Sequence, residues 1–263
     1  MKVHQIRNAT IIIEYQNLCL LVDPMLAEKG KIPSLRYLTP NKRRNPLVDL
    51  PSNTTSLLNG VTHCLITHCQ KGHFDHLDRA GGKWLKSNNI PVLCSEQDSA
   101  FLRKRSFETH ELKIHDLNTF ENGNIELVSC LHGTGVVGKL MTHGVGYFIN
   151  MPNEPSIYIT GDTVLTPHIV NFVKEKQPDI IVAPAGGAKF DLGGEVIMNG
   201  EEAIELALAS DGKFVANHLE ALDHCPVTRK NLRALATLNK LNHRFYIPKD
   251  GETLEFMNYT NPS

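Results

Sequence analysis

The sequence predicts a mixed α/β protein in which β-strands form the interior and helices cover both outer faces. Two observations predict this class: helical patterns flank a strand-rich central region, and short runs of Ile, Leu and Val recur between turn residues. The chain has 263 residues, of which 41% are hydrophobic and 21% are charged, a composition typical of globular proteins. No repeat or linker divides the chain, so we expect one domain over residues 1–263 with one substantial core.

Charge and hydropathy exclude several classes of protein. The 27 Lys and Arg residues nearly balance the 28 Asp and Glu residues, for a net charge of -1, whereas nucleic-acid binders usually carry a basic excess. No apolar run approaches the roughly 18 residues of a membrane span, and the N-terminus lacks the apolar region of a secretory signal. We therefore expect a cytoplasmic protein without nucleic-acid or membrane partners, and homo-oligomer formation stays open.

Cysteine spacing and the one basic run carry less information. The 6 cysteines are scattered without paired spacing, which predicts reduced thiols and no disulfides. The run Lys42–Arg44 lies between two prolines, and a solvated loop is the favoured interpretation over a phosphate-binding patch.

The first third of the chain predicts strands and one long loop. Apolar runs at Thr10–Tyr15 and Leu18–Val22, separated by Gln16 and Asn17, predict a hairpin. Residues 27–56 are rich in proline and lack periodic apolar positions, which predicts a covering loop that borders a functional site. The elements predicted next are a strand at Val61–Thr67, a short helix capped by Asp78, and a strand at Pro91–Cys94.

Cap and turn residues set the later elements. Ser95 with Asp98 resembles a capping box and predicts a helix to about Arg105. Antiparallel strands are predicted at Leu112–His115, Ile125–Leu131, Val145–Asn150 and Ser156–Thr160. Cap residues predict helices from Thr166 to about Lys176, from Asn199 to Ser210 and from Thr228 to about Leu241. Further strands are predicted at Ile180–Ala183, Lys213–Asn217 and Arg244–Ile247.

A dense group of histidines and aspartates follows the strand at Val61–Thr67. His68, His73, Asp75, His76 and Asp78 lie within 11 residues, and imidazole with carboxylate is a ligand set suited to zinc, manganese and iron. A tight turn could aim His73 at one metal while Asp75 and His76 reach a second. Without a counterion, this many ionisable groups in one loop would cost desolvation and repulsion, so the segment predicts a metal site.

A Cys/His zinc knuckle is the rival interpretation of the same segment. It would use His63, Cys64, His68 and Cys69. The chain lacks the second Cys or His pair at the spacing that such a knuckle needs, so this interpretation is disfavoured.

The histidine segment resembles the His-x-His-x-Asp-His signature of the metallo-β-lactamase superfamily. Other matching segments follow in order: Ile6–Thr10, Leu21–Pro24, His132 after a strand, Thr160–Thr163 and His218. Met198–Ala203 is similar to the branch that contains L-ascorbate-6-phosphate lactonase. The resemblance implies a four-layer αββα sandwich of two mixed β-sheets with helices on both outer faces and a metal cleft at one edge.

The resemblance also implies a set of metal ligands. His73 and His132 would hold the first metal, Asp75, His76 and His218 the second, and Asp162 would bridge the two. The chain departs from the signature at the first histidine, where it has Lys71. We expect His68 to supply this ligand across a three-residue insertion. The position of Asn8, where many relatives have histidine, is a second departure and leaves any substrate-side role there open.

The implied cofactors are two divalent metal ions, with zinc expected and manganese or iron as alternatives. Two such ions lower the pKa of a shared water from 15.7 to about 7 and polarise the substrate oxygen. The resemblance implies that Asp75 orients the water. His224 is the candidate proton donor to the leaving group, with a metal-bound water as the rival and a plain surface histidine equally open.

These observations favour a dinuclear metal-dependent hydrolase, in which hydroxide attacks a small, anionic ester or lactone. Glycines near Lys189 could let the backbone approach a ligand and Lys189 steer its negative charge, although a flexible loop explains them equally well. A metal-dependent phosphodiesterase on the same site is the nearest alternative. A metal-binding sensor without turnover is the alternative from another class.

Overall fold

The computed structural model describes residues 1–40, 42–70, 72–141 and 143–257, apart from the side chains of Val136 and Leu140. The elements follow one another along the chain in this order: β1 Lys2–Arg7, β2 Thr10–Glu14, β3 Cys19–Val22, α1 Thr54–Leu58, β4 His63–Ile66, α2 Arg79–Ser87, β5 Val92–Ser95, α3 Glu96–Arg103, β6 Thr109–Leu112, β7 Leu117–Phe120, β8 Gly123–Ser129, α4 Gly135–Leu140, β9 Val145–Asn150, β10 Ile157–Ile159, α5 Pro167–Lys176, β11 Ile180–Pro184, α6 Gly200–Leu208, β12 Lys213–Asn217, α7 Arg229–Leu238, β13 Phe245–Tyr246 and β14 Thr253–Glu255.

Within the described residues, the strands form two mixed sheets of seven strands each. The first has the order β14-β1-β2-β3-β4-β5-β6, and the second has the order β13-β12-β11-β10-β9-β8-β7. Hairpin connections make β1, β2 and β3 antiparallel, and helical crossovers make β4 and β5 parallel. The predicted α/β class with two mixed sheets and outer helices is confirmed.

Alternation along the strands explains why both faces of each sheet are buried. In the first sheet, Ile11, Ile13 and Leu65 join the core shared with the second sheet. Their neighbours Ile12 and Cys64 belong instead to a cluster that includes residues of the helices α2 and α3. Strands buried on both faces appear in a sequence as continuous apolar runs, which is how these strands were recognised.

Four of the predicted helix caps form as expected. The side chains of Asp78, Thr166 and Thr228 accept hydrogen bonds from backbone N–H groups of the first helical turn. Asn199 forms a reciprocal capping box with Glu202. Each cap satisfies a donor that the helix leaves unpaired at its start.

The predicted capping box at Ser95 is wrong. Ser95 precedes α3, but its side chain accepts no bond from the helix. The carboxylate of Asp98 is engaged elsewhere: its oxygens accept from Gln70 Nε2 at 3.0 Å and His143 Nε2 at 3.1 Å. The hydroxyl of Ser95 also donates to Asp98 Oδ2 at 3.5 Å, so neither side chain accepts the backbone N–H that a capping box requires.

The predicted boundaries also fail where strands are short and exposed. The antiparallel strand expected at Leu112–His115 is wrong: the strand ends at Leu112 and pairs parallel with β5 in the first sheet. His115 lies beyond it in the left-handed region at φ 68°. β1, β7, β14, α1 and α4 are not among the elements that the sequence predicts. Residues 27–40 and 42–53 contain no helix or strand, as expected of a covering loop, but the loop predicted over 27–56 ends early because α1 begins at Thr54. No helix among the described residues is long and apolar enough to cross a membrane.

Candidate metal centre

Strand ends from both sheets meet at one edge of the sandwich. In the second sheet β8, β10 and β12 run in the same direction, so their carboxyl ends share that edge. His132, Asp162 and His218 all lie just beyond these ends. The end of β4 is joined to the same edge, because Val145 N–H donates to Thr67 O at 3.1 Å. His68 follows directly, and we call residues 68–76 the metal loop.

Seven of the predicted site residues form two adjacent groups. The first group is His68, His73 and His132, and the second is Asp75, His76, Asp162 and His218; within each group the ligand atoms lie within 4.8 Å of one another. All seven side chains are buried. The division into two groups is the one that the sequence resemblance implied, with His68 beside His73 and His132.

Each histidine is held by its outer ring nitrogen. The Nδ1–H of His132 donates to the carbonyl of Val196 at 2.7 Å, and that of His73 donates to the carbonyl of Gln70 at 2.5 Å. His76 Nδ1 donates to Asp23 Oδ2 at 2.8 Å. Such bonds place a proton on Nδ1 and leave Nε2 facing inward, where it can bind a metal once it carries no proton.

The remaining two histidines follow the same rule. His68 Nδ1 lies 3.0 Å from the hydroxyl of Thr67, which itself donates to Asp23 at 2.6 Å and so accepts from the ring. His218 Nδ1 lies 3.5 Å from the sulfur of Cys225. All five rings therefore direct Nε2 towards the two groups of ligands.

The inner nitrogens test whether metal ions fit this centre. Nε2 of His68 and Nε2 of His73 are fully buried and have no hydrogen-bond partner in the described part of the chain. Buried polar atoms are rarely left unpaired, and unprotonated imidazole nitrogens are metal ligands. The donor set therefore fits a metal ion at His68, His73 and His132.

Asp162 stands between the two groups. Its Oδ2 lies 3.1 Å from His76 Nε2, 3.5 Å from His218 Nε2 and 3.8 Å from His132 Nε2. Asp75 Oδ2 lies 3.3 Å from His218 Nε2. One carboxylate oxygen thus faces both groups, which is the position a bridging ligand needs.

The electrostatics divide the centre into a neutral part and a charged part. Burial and the neighbouring imidazoles hold the pKa of His68 well below its ordinary value, and burial lowers the pKa of His132 to about 4. Both rings are therefore neutral at pH 7. Metal binding requires this form of histidine.

The second group is ionised. Burial raises the pKa of Asp75 and of Asp162, but the rings of His76 and His218 outweigh burial and hold both pKa values well below the ordinary one. Burial likewise lowers the pKa of His76, and neighbouring carboxylates, Asp162 first, raise it well above its ordinary value. Divalent cations would replace the proton charge that now balances these carboxylates.

Asp23 is a functional residue that sequence reasoning missed. The sequence identified it only as part of a matching segment at the end of a strand. In the fold it is buried and anchors both His76 and Thr67 N–H, the latter at 2.8 Å. The only local signal was a carboxylate directly after the apolar run of β3.

His224 lies next to the centre rather than at the surface. Its ring centroid lies 6.4 Å from that of His218 and stacks against Phe190 at 5.7 Å. Burial lowers the pKa of His224, but the Cys225 sulfur outweighs burial and raises it. The surface interpretation is wrong, because the ring is buried. Lys189 is exposed, and its N–H donates to the carbonyl of His224 at 3.0 Å.

The covering loop is tied to both sides of this histidine. Asp223 accepts from Leu35 N–H at 3.1 Å and from Asn45 Nδ2 at 2.9 Å. Asp191 accepts from Leu38 N–H at 2.8 Å. Arg44, from the basic run, instead donates to carbonyls of its own loop at 2.6 and 2.9 Å, as a solvated loop would.

The residues of the rival zinc knuckle do not lie close together in the structure. His63 begins β4 and packs on Phe120 at 5.1 Å, whereas His68 lies beyond the other end of the strand. Cys64 points into the cluster under the helices, and Cys69 donates to Asp98 at 3.5 Å. An extended strand separates these side chains, so they cannot share one ion. Lys71 lies outside the described residues.

Comparisons with known proteins agree with this geometry. The family described as "Beta-lactamase superfamily domain" matches residues 2–217. The UPF0173 protein YddR of Bacillus subtilis is 32% identical over 97% of this chain and 100% of its own. The crystal structure of an isothiocyanate hydrolase from Delia radicum gut bacteria is similar at a TM-score of 0.87 and 32% identity, covering 97% of this chain and 99% of that one. A possible metal-dependent hydrolase from Veillonella parvula has a TM-score of 0.87 and 25% identity, covering 97% and 98%.

Proposed function

The chain belongs to the β-lactamase superfamily domain family and is a metal-dependent hydrolase; from this premise we propose that it uses two divalent ions to hydrolyse a small ester or lactone. The observation that carries the proposal is the inward orientation of five buried imidazoles around two aspartates. His68, His73 and His132 would hold one ion. Asp75, His76 and His218 would hold the other, with Asp162 shared.

The residues of the chain have distinct roles in this mechanism. When bound, a pair of divalent ions supplies an acidified water and a Lewis acid for the substrate oxygen. Asp75 is ionised and close to His218, so it can accept a hydrogen bond from the attacking water and orient it. Asp23 keeps the ring of His76 in one tautomer.

We assign the proton transfer to His224. Its ring lies beside His218 without belonging to either group of ligands, and its raised pKa favours a ring that carries a proton near neutral pH. A general acid of this kind accelerates departure of the leaving group. His224→Gln should therefore slow substrates with poor leaving groups more than activated ones.

An isothiocyanate is the second candidate substrate class. Two observations favour it: the similarity to an isothiocyanate hydrolase over 97% of this chain, and an apolar cluster with Val137, Met141 and Phe190, of which Phe190 stacks on His224. The electrophilic carbon of an isothiocyanate suits the same attack as an acyl carbon. The exposed Lys189 would favour an anionic ester or lactone instead, so the two classes differ in their dependence on Lys189.

Metal content and hydrolysis, measured together, test the proposal. We expect two ions per chain in the wild type, and a loss of metal with about a hundredfold or greater loss of activity in His68→Ala and Asp162→Ala. Lys71→Ala is the matched control, because Lys71 stands where the family signature has a histidine, and it should retain both ions and full turnover. The substrates to be tested are lactones, carboxylic esters, isothiocyanates and phosphodiesters.

Each outcome has a clear meaning. Turnover of phosphodiesters alone would replace the proposed reaction with phosphodiesterase activity. Two tightly bound ions with no turnover of any substrate would favour the sensor. Full activity in His68→Ala would show that another group supplies the first ligand.

A further inference from the structure

A second cavity lies on the outer face of the first sheet, between α2 and the end of α3. Its volume is about 580 Å³, within the range of roughly 300–1,000 Å³ that small-molecule sites occupy. Leu77, Phe101 and Phe107 line it, and Gly82 allows Phe107 to approach the helix, since a Cβ there would lie 3.1 Å from the ring. The floor of the cavity is therefore apolar and aromatic.

Four cationic side chains line the same cavity. Arg79, Lys83 and Lys86 occupy one face of α2, three and four residues apart, and Arg105 follows α3. Residues at this spacing project from the same side of a helix. The cavity thus combines an aromatic floor with a cluster of positive charge.

Within the described residues, no carboxylate pairs with these cations. The side chains of Arg79 and Lys83 make no ion pair or hydrogen bond there, and Arg105 lies over the ring of Phe101 at 3.5 Å. Lys86 Nζ donates to the carbonyl of Arg105 at 3.5 Å. Grouped cations of this kind repel one another unless an anion is present.

The single acidic side chain that lines the cavity is already engaged. Asp78 caps α2, and its two oxygens accept from Gly81 N–H and Ala27 N–H, each at 2.6 Å. It therefore cannot turn to neutralise the lysines without breaking the helix cap. The cavity has an excess of positive charge that the fold leaves for a ligand.

We propose that this cavity binds a small organic anion that combines an aromatic ring with a phosphate group. Guanidinium and ammonium groups bind phosphate oxygens, and Phe101 with Arg105 offers a surface on which an aromatic ring can stack. A nucleoside diphosphate and an aryl phosphate share this chemistry. The site is separate from the metal ligands, although Cys69, which follows His68, forms part of its wall.

Calorimetric titration of the whole metal-loaded protein tests this proposal, with ADP and 1-naphthyl phosphate as probes. Both should bind more tightly than inorganic pyrophosphate, which has charge but no ring. The fluorescence of the one tryptophan, Trp84 on α2, gives a second readout beside the cavity. Binding of one probe alone would identify its class as the source of the ligand.

Charge reversal of the exposed lysines locates the binding. Lys83→Glu with Lys86→Glu should weaken both probes about tenfold or more. Lys174→Glu with Lys230→Glu changes net charge equally on other helices and should leave binding unchanged. Phe101→Leu should remove the advantage of the aromatic probes over pyrophosphate.

The variant Asp162→Ala distinguishes binding in the cavity from binding at the metal centre. A cavity site should retain the probes in that variant. The proposal is overturned if neither probe binds the wild type, if both lysine pairs weaken binding equally, or if Asp162→Ala abolishes binding that Lys83→Glu with Lys86→Glu leaves intact.

Discussion

Asp23 is the carboxylate on which the orientation of His76 depends. It accepts the Nδ1–H of His76 at 2.8 Å, the hydroxyl of Thr67 at 2.6 Å and Thr67 N–H at 2.8 Å. Every one of these bonds is buried, so water cannot replace them. The candidate metal centre therefore includes a buried carboxylate behind its proposed ligands.

Replacement of this carboxylate should weaken metal binding without removing a ligand. Asp23→Asn keeps the size of the side chain but loses the charge that fixes the Nδ1–H tautomer of His76. We expect the affinity of the second metal to fall about 10–100-fold, measured by competition with a chromogenic chelator. Asp116→Asn, at an exposed position, is the control. Equal affinity in both variants would contradict the assigned role of Asp23.

At the scale of elements, α2 packs directly on the chain segment that follows β3. A Cβ built on Gly81 would lie 2.2 Å from the carbonyl oxygen of Pro24, so only glycine allows this approach. The same helix begins directly after its cap residue Asp78, close behind the metal loop. Its position therefore connects Asp23, Pro24 and the metal loop.

Gly81→Ala should destabilise the fold by about 1–2 kcal/mol, because an approach of 2.2 Å to a backbone atom places the overpacking in the upper half of its range. Overpacking typically costs about 1–3 kcal/mol, and the better helix propensity of alanine offsets only about 1 kcal/mol. Gly194→Ala is the matched control, because nothing lies within 4 Å of its Cβ position. Guanidinium unfolding measures both. Equal stability of the two variants would mean that Pro24 moves aside without cost.

The elements also differ in how far local sequence predicts them. β9 and α5 were recognised because an apolar run and a cap with a first-turn proline are local signals. β14 has no buried residue, and β6 has only one, so neither carries an apolar period. β14 pairs with β1 at the other end of the chain, and β6 pairs with β5 across the helix α3, so both strands depend on tertiary pairing.

At the scale of the whole molecule, burial makes folding sensitive to high pH. Five thiols have pKa values above the ordinary 9.0, with burial as the largest cause: Cys19 at about 11, Cys94 at about 12, and Cys64, Cys69 and Cys130 also raised. Burial raises the pKa of the buried tyrosines Tyr15, Tyr147 and Tyr158 in the same way. The folded chain keeps these protons when the unfolded chain releases them.

The free energy of unfolding should therefore fall as the pH rises through 9. Below the unfolded pKa both states bind the proton, and above it only the folded state does, so each such thiol lowers stability by up to about 1.4 kcal/mol per pH unit. Guanidinium unfolding at about pH 8 and at about pH 10 measures the slope.

Cys94→Ala provides the control for this prediction. The variant loses packing, which changes its free energy of unfolding at every pH. The decrease of that free energy with rising pH should be smaller than in the wild type by the contribution of one thiol. A slope of zero in the wild type, or the same slope in the variant, would contradict the assignment to buried thiols.

The sequence by itself determined the layered α/β class, most helix caps and the residue types of the metal loop, because apolar period, cap chemistry and ligand spacing are local properties. Only the tertiary structure decided which residues from distant parts of the chain meet in space. Asp23 meets His76 from 53 positions away, and His68 joins His132 rather than Cys64, because strand order and direction bring distant strand ends to one edge. The cationic cavity arises in the same way, since α2 supplies its charge and α3 its ring.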